Sequence, residues 1–321
     1  MSDGTVVPAQ VTYTATGGNV SAGGLYAADS IPGTYRVIAA LVDSALADTA
    51  IIVVGAPDPD SSVTLLLEES FLGFGEWGRE FCCSHSQSIV DSLAREGSTA
   101  ARFTLLRTDP AAPCFKCVNL DQILRPRLKG WTRDANGPFK AGDEVWFGFS
   151  VYIPADWINE TVPPFHEILV EVHDTPDNRP GTNEPDWNVA KTAFLYLLVE
   201  GDDFVWVSRW DHCAYGSNCW KPYGVERRPY AGPLKKGGWT DFVVHAKWSF
   251  GNDGLLEIWR DAELVARQTG PNAYNQQNPG FLKFGIYKWS WPNAKIPART
   301  LLYDAVRIAS GNAGYPAVAP R

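Results

Sequence analysis

The sequence predicts an all-β chain: an antiparallel two-sheet sandwich of the jelly-roll kind, preceded by a small β module. Three observations carry this. About a dozen short runs alternate apolar and polar residues or are rich in Val, Ile, Phe, Tyr and Trp, the period and composition of strands. Turn residues separate these runs without interleaved helices, which excludes parallel βαβ units. Helical periodicity is scarce, and only "SIVDSLAREG" is expected to form a short turn of helix.

Residues 1–55 contain no Trp, Cys or His and are rich in Gly, Ala, Thr and Val. Their runs "AQVTYTAT", "GLYAA", "GTYRVIAALV" and "DTAIIVV" are punctuated by Gly, Asn and Pro-Gly, as in a small β-sandwich module. Residues 56–62, within "GAPDPDSS", are a linker by composition. The large domain is expected over 63–310, followed by a loose tail, 311–321, "GNAGYPAVAPR". Within the domain, "DEVWFGFSVYIP" alternates Val145, Phe147, Phe149 and Val151 against Trp146, Ser150 and Tyr152. "TAFLYLLVEGDDFVWVSRW" reads as a hairpin around "EGDD". "DFVVHAKWSFGNDGLLEIWRDAELVARQ" reads as three strands turning at "GNDG" and "RDAE", and "GFLKFGIYKWSW" and "LLYDAVRIA" are two more.

At 321 residues, with 45% hydrophobic and 20% charged residues, the chain can bury a full core without staples. The 13 Trp, 12 Tyr and 15 Phe suit sugar rings as well as cores, although most will be buried. A net charge of −8 argues against nucleic acid as a partner, and no apolar stretch is long enough to span a membrane. An acidic body does not exclude a polyanionic substrate held in a local basic cleft.

The six cysteines fall into close sets, Cys82 and Cys83, Cys114 and Cys117, and Cys213 and Cys219. A four-thiolate zinc cluster and a pair of disulfides tying the first two sets together both fit. Adjacent cysteines are awkward zinc ligands, which favours disulfides. "CAYGSNC" would close a loop of its own. Disulfides imply secretion or the periplasm, and a secreted, extracellular bacterial protein is expected. "MSDGTVVPAQ" has neither a basic start nor an apolar core and is not read as a signal peptide.

Two stretches carry candidate chemistry. In "EILVEVHDTPD", a regular strand would turn Glu167, Leu169, Glu171 and His173 to one face and Ile168, Val170 and Val172 to the other. In "FLKFGIYKW", Phe281, Lys283, Gly285, Tyr287 and Trp289 would share a face, with Gly285 leaving room for a ligand between a cation and a phenol. An imidazole, a phenol and a cation on one sheet suit β-elimination of a uronic-acid polysaccharide. The cation neutralises the uronate carboxylate, a base removes the proton on C5, and an acid protonates the departing O4.

On "VWFGFSVYIPADW", "EILVEVHDTPD", "GWTDFVVHAKWSFGNDGLLEIW" and "FLKFGIYKW", the large domain resembles the heparin lyase I-like polysaccharide lyases, which take in glucuronan lyase-like jelly rolls. The resemblance runs from about Ser70 to Ala309 and implies a concanavalin-like sandwich. It also implies His173 and Tyr287 as base and acid, with Lys283 and the residue at 171 binding the uronate. That family has Gln where this chain has Glu171. Arg125, with Arg127 as the alternative, is the candidate neutralising arginine, and Trp289 a candidate sugar contact. "GLYAADSIPGTYRVIAA" and "DTAIIVV" resemble the C-terminal half of a bacterial immunoglobulin-like repeat; a whole one needs about 80–100 residues.

The expected partner is an anionic polysaccharide and the expected state a monomer. No cofactor or catalytic metal is expected, though the acidic stretch "HDTPDNRPGTNEPDWN" could hold a structural Ca²⁺. His85, His166, His212 and His245 are weaker candidates. A sandwich glycoside hydrolase using Glu167 and Glu171 as its paired carboxylates and a non-catalytic carbohydrate-binding protein are the alternatives.

Overall fold

A computed structural model describes residues 10–28, 33–42, 44–54, 65–75, 77–110, 121–125, 138–163, 167–215, 217–219, 224–288 and 290–321; for 53–54 and 121–125 it describes the backbone alone. The chain divides into two compact units, Met1–Ser62 and Val63–Arg321.

In the first unit, β1 (Val11–Ala15), β4 (Gly33–Leu41) and β5 (Ala47–Val54) form an antiparallel sheet in the order β1-β4-β5, and β2 (Asn19–Val20) pairs with β3 (Tyr26–Ala27). The β1 alternation predicted from "VTYTA" is visible as half-buried Val11, Tyr13 and Ala15 between exposed threonines.

The second unit is a sandwich. Its strands are β6 (Leu65–Glu69), β7 (Gly78–Glu80), β8 (Gln87–Val90), β9 (Ala100–Leu106), β10 (Asp121–Arg125), β11 (Glu144–Ile153), β12 (Glu167–His173), β13 (Leu195–Glu200), β14 (Asp203–Trp210), β15 (Val225–Pro233), β16 (Gly238–Lys247), β17 (Leu255–Arg260), β18 (Glu263–Thr269), β19 (Phe281–Tyr287) and β20 (Ala298–Ser310). One sheet runs β15-β14-β13-β12-β19-β10-β7, the other β18-β17-β16-β11-β20-β9-β8 with β6 added on β20. Alternation decides which side chains meet between them: Val145, Phe147, Phe149 and Val151 of β11 face Leu195, Leu197 and Val199 of β13 across one core, sealed by Trp206, Trp248 and Phe242.

Two expectations are corrected. "SIVDSLAREG" forms no helix: its start belongs to β8 and the rest is a run of bends. Among the described residues, the helical pieces are a 3₁₀ turn at Trp187–Val189 and the short α1 (Tyr315–Val318). The tail is not loose. Val318 is fully buried against Trp146, Val243 and Ala309, and Arg307 donates to Ala319 O at 3.1 Å.

Cys213 and Cys219 are bonded, closing the loop that "CAYGSNC" predicts. Cys82 and Cys83 are bonded to each other, which corrects the expectation that both bridge to the "CFKC" segment; Cys114 and Cys117 lie outside the described residues.

Candidate active site

β12 and β19 lie side by side in the seven-stranded sheet, so its outer face joins the two motifs. Glu171 pairs with Lys283 and His173 with Phe281. The Glu171 carboxylate lies 3.1 Å from Lys283 Nζ, with Glu80 Oε2 of β7 3.9 Å away on the other side. Glu171 and Lys283 are 5% and 6% exposed, so this charge pair is largely withdrawn from solvent. Lys283 Nζ also sits 5.4 Å from the centre of the Phe281 ring, and that ring stacks on His173 at 5.4 Å.

His173 keeps about a quarter of its side chain in solvent. Its Nδ1 lies 2.9 Å from the carbonyl oxygen of Asp174. A carbonyl only accepts, so Nδ1 carries the proton and the neutral ring presents its lone pair at Nε2. The Asp174 carboxylate is 3.3 Å from the same nitrogen and is itself held by the backbone N–H of Lys191 at 2.9 Å. Burial opposes the charged imidazolium. The hydrogen bond to Asp174 and the charges of Glu171 and Asp174 outweigh both burial and Lys283, and hold the His173 pKa above its ordinary value. Burial pushes the Asp174 carboxyl up as well.

One expected geometry is corrected. β12 does not alternate regularly: its pairings jump between Ile168 and Val170 on both sides, a β-bulge at Leu169. Leu169 joins Val170 and Val172 in the core, while Ile168 packs with Tyr196, Leu198, Val205 and Val207 on the outer face. Glu167 is thereby turned inward, fully buried, to Arg299 at 2.6 Å and Lys288 at 2.7 Å. Lys288 also meets Glu160 at 3.2 Å. The paired carboxylates of the hydrolase alternative are therefore on opposite faces, and Glu167 is a core ion-pair residue.

Tyr287 lies on the face of Lys283 but is not brought against His173. Its cross-strand partner is Ile168. The six residue-to-residue steps along β19 from Phe281 to Tyr287 correspond to roughly 20 Å of extended strand, less whatever the bulge and the bend of the sheet take up. Arg125 enters the sheet beside β19, its backbone paired with Gly78; its side chain, Trp289, Arg127 and His166 lie outside the described residues.

Sequence reasoning missed three residues. Glu80 is brought in by a short edge strand that no local pattern marks. Asp174 was visible as the "HD" pair, yet its role depends on how the chain turns after β12. Tyr196 sits directly across from Glu171, a register that only the assembled sheet reveals. Its ring lies under the Arg209 guanidinium, and burial pushes its hydroxyl up to about 12, so it is a proton donor at ordinary pH.

Each of the other described histidines has partners of its own. His245 is in the other sheet, stacked on Trp146 at 4.0 Å and held at 2.8 Å by both Glu144 and Glu257. His85 pairs with Asp109 at 3.1 Å, and His212 contacts Cys213 at 3.7 Å. In the acidic stretch after His173, Asp177 and Asp186 accept backbone N–H groups of Gln277 and Asn188.

The two-sheet sandwich thus carries an imidazole, a buried cation and phenols on the outer face of one sheet. The chain belongs to the polysaccharide lyase family, whose profile matches residues 68–307, and it is a polysaccharide lyase. Its fold is similar to that of the endo-β-1,4-glucuronan lyase of the fungus Trichoderma reesei, with a TM-score of 0.60 and 15% identity over 80% of this chain and 99% of that one. Alginate lyase AlgAT5, of polysaccharide lyase family 7, is similar at a TM-score of 0.47 and 10% identity over 73% of this chain and 94% of that one. No curated protein matches the chain in sequence.

Proposed function

We propose that the chain cleaves a uronate-containing polysaccharide by β-elimination, with His173 as the base. In this reaction Nε2 of His173 takes the proton from C5. The electron pair forms the C4=C5 double bond, the C4–O4 bond breaks, and O4 leaves with a proton from a nearby acid. Lys283 supplies positive charge to the carboxylate into which the C5 electron pair spreads.

The observation that carries the reading is the committed tautomer of His173. Nδ1–H donates to the carbonyl oxygen of Asp174, so the proton stays on Nδ1 and Nε2 is the basic nitrogen of the neutral ring. Tyr287, on the face of Lys283 with Gly285 between them, is the acid that the family resemblance implies. The register favours a second candidate: Tyr196 stands across from Glu171, two positions from the row of His173, and keeps its proton.

Incubation with glucuronan, alginate, heparin and chondroitin tests the class, because elimination alone creates an unsaturated uronate that absorbs in the near ultraviolet. His173→Ala is expected to abolish the signal in a folded protein. Tyr287→Phe and Tyr196→Phe separate the two acids, since only the true donor's loss stops turnover. Reducing ends without the chromophore would refute elimination, and normal turnover by His173→Ala would refute the base.

A further inference from the structure

We propose that Tyr303, on β20 of the opposite sheet, is a positioning residue: its hydroxyl pins the Leu169 bulge and so keeps His173 and Glu171 on the outer face. The kinetic arm of this proposal rests on the lyase reading; the structural arm does not.

In a regular strand, side chains two, four and six residues apart share a face. Glu167 and His173 are six apart and would point the same way. Glu167 is held inside by Arg299 and Lys288, so a regular β12 would carry Glu171 and His173 into the core and turn Val170 and Val172 outward. The extra residue at Leu169 reverses the parity half-way along the strand. The site on the outer face exists only while that bulge is kept.

A bulge leaves backbone groups without ladder partners, and in a dry core those groups need another one. Tyr303 supplies it. Its hydroxyl lies 2.6 Å from the carbonyl oxygen of Leu169 and 3.0 Å from that of Gly285, one on each site strand. The single proton is shared between two acceptors, binding β12 to β19 from beneath. The ring cannot wander: it is fully buried, edge-on to Phe103 at 5.5 Å and to Phe284 at 5.4 Å. Burial raises its pKa well above the ordinary value, so the donor proton is always present. Gly285 is the β19 partner in this arrangement, and its φ of 148°, which L side chains rarely adopt, suits it to a strand that must accommodate an irregular neighbour.

Tyr303→Phe keeps the ring and removes the pin. Amide hydrogen exchange is expected to quicken at 168–171 and 284–286 while β16 and β17 keep wild-type protection. On a uronate polymer that the wild type cleaves, kcat is expected to fall by about 10–100-fold with KM within about threefold. Wild-type exchange at β12 and β19, or equal loosening everywhere, would overturn the pin. Selective loosening with unchanged kcat would overturn the positioning role. If the wild type eliminates no uronate polymer, the lyase reading fails, while the exchange result still decides whether Tyr303 pins the bulge. Should the variant not fold, the wild-type chain decides: a pinned hydroxyl proton exchanges slowly and gives NMR cross-peaks to both strands, and one exchanging as fast as exposed tyrosines overturns the proposal.

Discussion

Replacing Glu171 by Gln restores the amide that the resembling family carries, and the structure sets two opposed effects. Glu171 Oε1 and Lys283 Nζ are 3.1 Å apart. At an effective dielectric of about 20, unit charges at that distance attract by about 5 kcal/mol, much of it offset by desolvation. Removing one partner of a buried pair costs about 3–5 kcal/mol when the other is stranded. Lys283 would not be stranded, because Glu80 stands 3.9 Å away and the new amide oxygen still accepts. The expected loss is therefore about 1–2 kcal/mol, a fall in Tm of about 2–8 °C for a domain this size. Binding moves the other way. A uronate carboxylate approaching Lys283 meets the like charge of Glu171, and relieving that repulsion in a screened groove is worth about 1 kcal/mol, or about fivefold in KM. The assay is the near-ultraviolet absorbance of the unsaturated product against polymer concentration, with a thermal melt beside it. If Tm falls as expected while KM stays or rises, the uronate carboxylate does not sit at Lys283, and the electrostatic reasoning is refuted.

Further outcomes follow from the same contacts. His173 acts as a base only when neutral and its pKa is held above the ordinary 6.5, so kcat/KM is expected to rise with pH through a midpoint above that value. Asp174→Asn removes the raising interaction and is expected to shift that midpoint downward in a pH–rate profile. The sign for stability is the reverse: the Asp174 interaction stabilises the fold below about pH 6.5 and is lost as pH climbs through the raised pKa. Glu167→Gln leaves Arg299 without its buried carboxylate and is expected to cost about 3–5 kcal/mol in urea unfolding; a cost under about 1 kcal/mol would mean the cluster is not a working ion pair. Val318→Ala is expected to cost about 1–3 kcal/mol, which a detached tail would not.

The architecture was legible because strand alternation is a local property and the core faces of β11 and β13 follow it residue by residue. His173, Glu171 and Lys283 were legible for the same reason, since each sits on a short alternating run of recognisable chemistry. What escaped is non-local. Tyr196 reaches the site through the pairing of β12 with β13, and Glu80 through an edge strand of three residues with little pattern to read. The tail read as loose because Gly, Ala and Pro dominate it, but Val318 finds a niche built by Trp146 and Val243, far away in sequence. The helix expected at "SIVDSLAREG" failed because its first residues pair with β9, and sheet pairing overrides a weak local preference.

The misreading of β12 is the most instructive. Alternation placed Glu167 beside Glu171, which made a hydrolase's carboxylate pair conceivable. One extra residue separated them, sending Glu167 to a buried ion pair and leaving Glu171 with Lys283 outside. A bulge has no sequence signature in "EILVEVH": Leu169 is as good a strand residue as its neighbours. Its cause lies 134 residues away in the chain, where Tyr303 offers its hydroxyl to Leu169 O, and in the pull of Arg299 on Glu167. The face that His173 occupies is thus decided by the opposite sheet, so a variant search confined to the outer face would miss the residues that hold it in place.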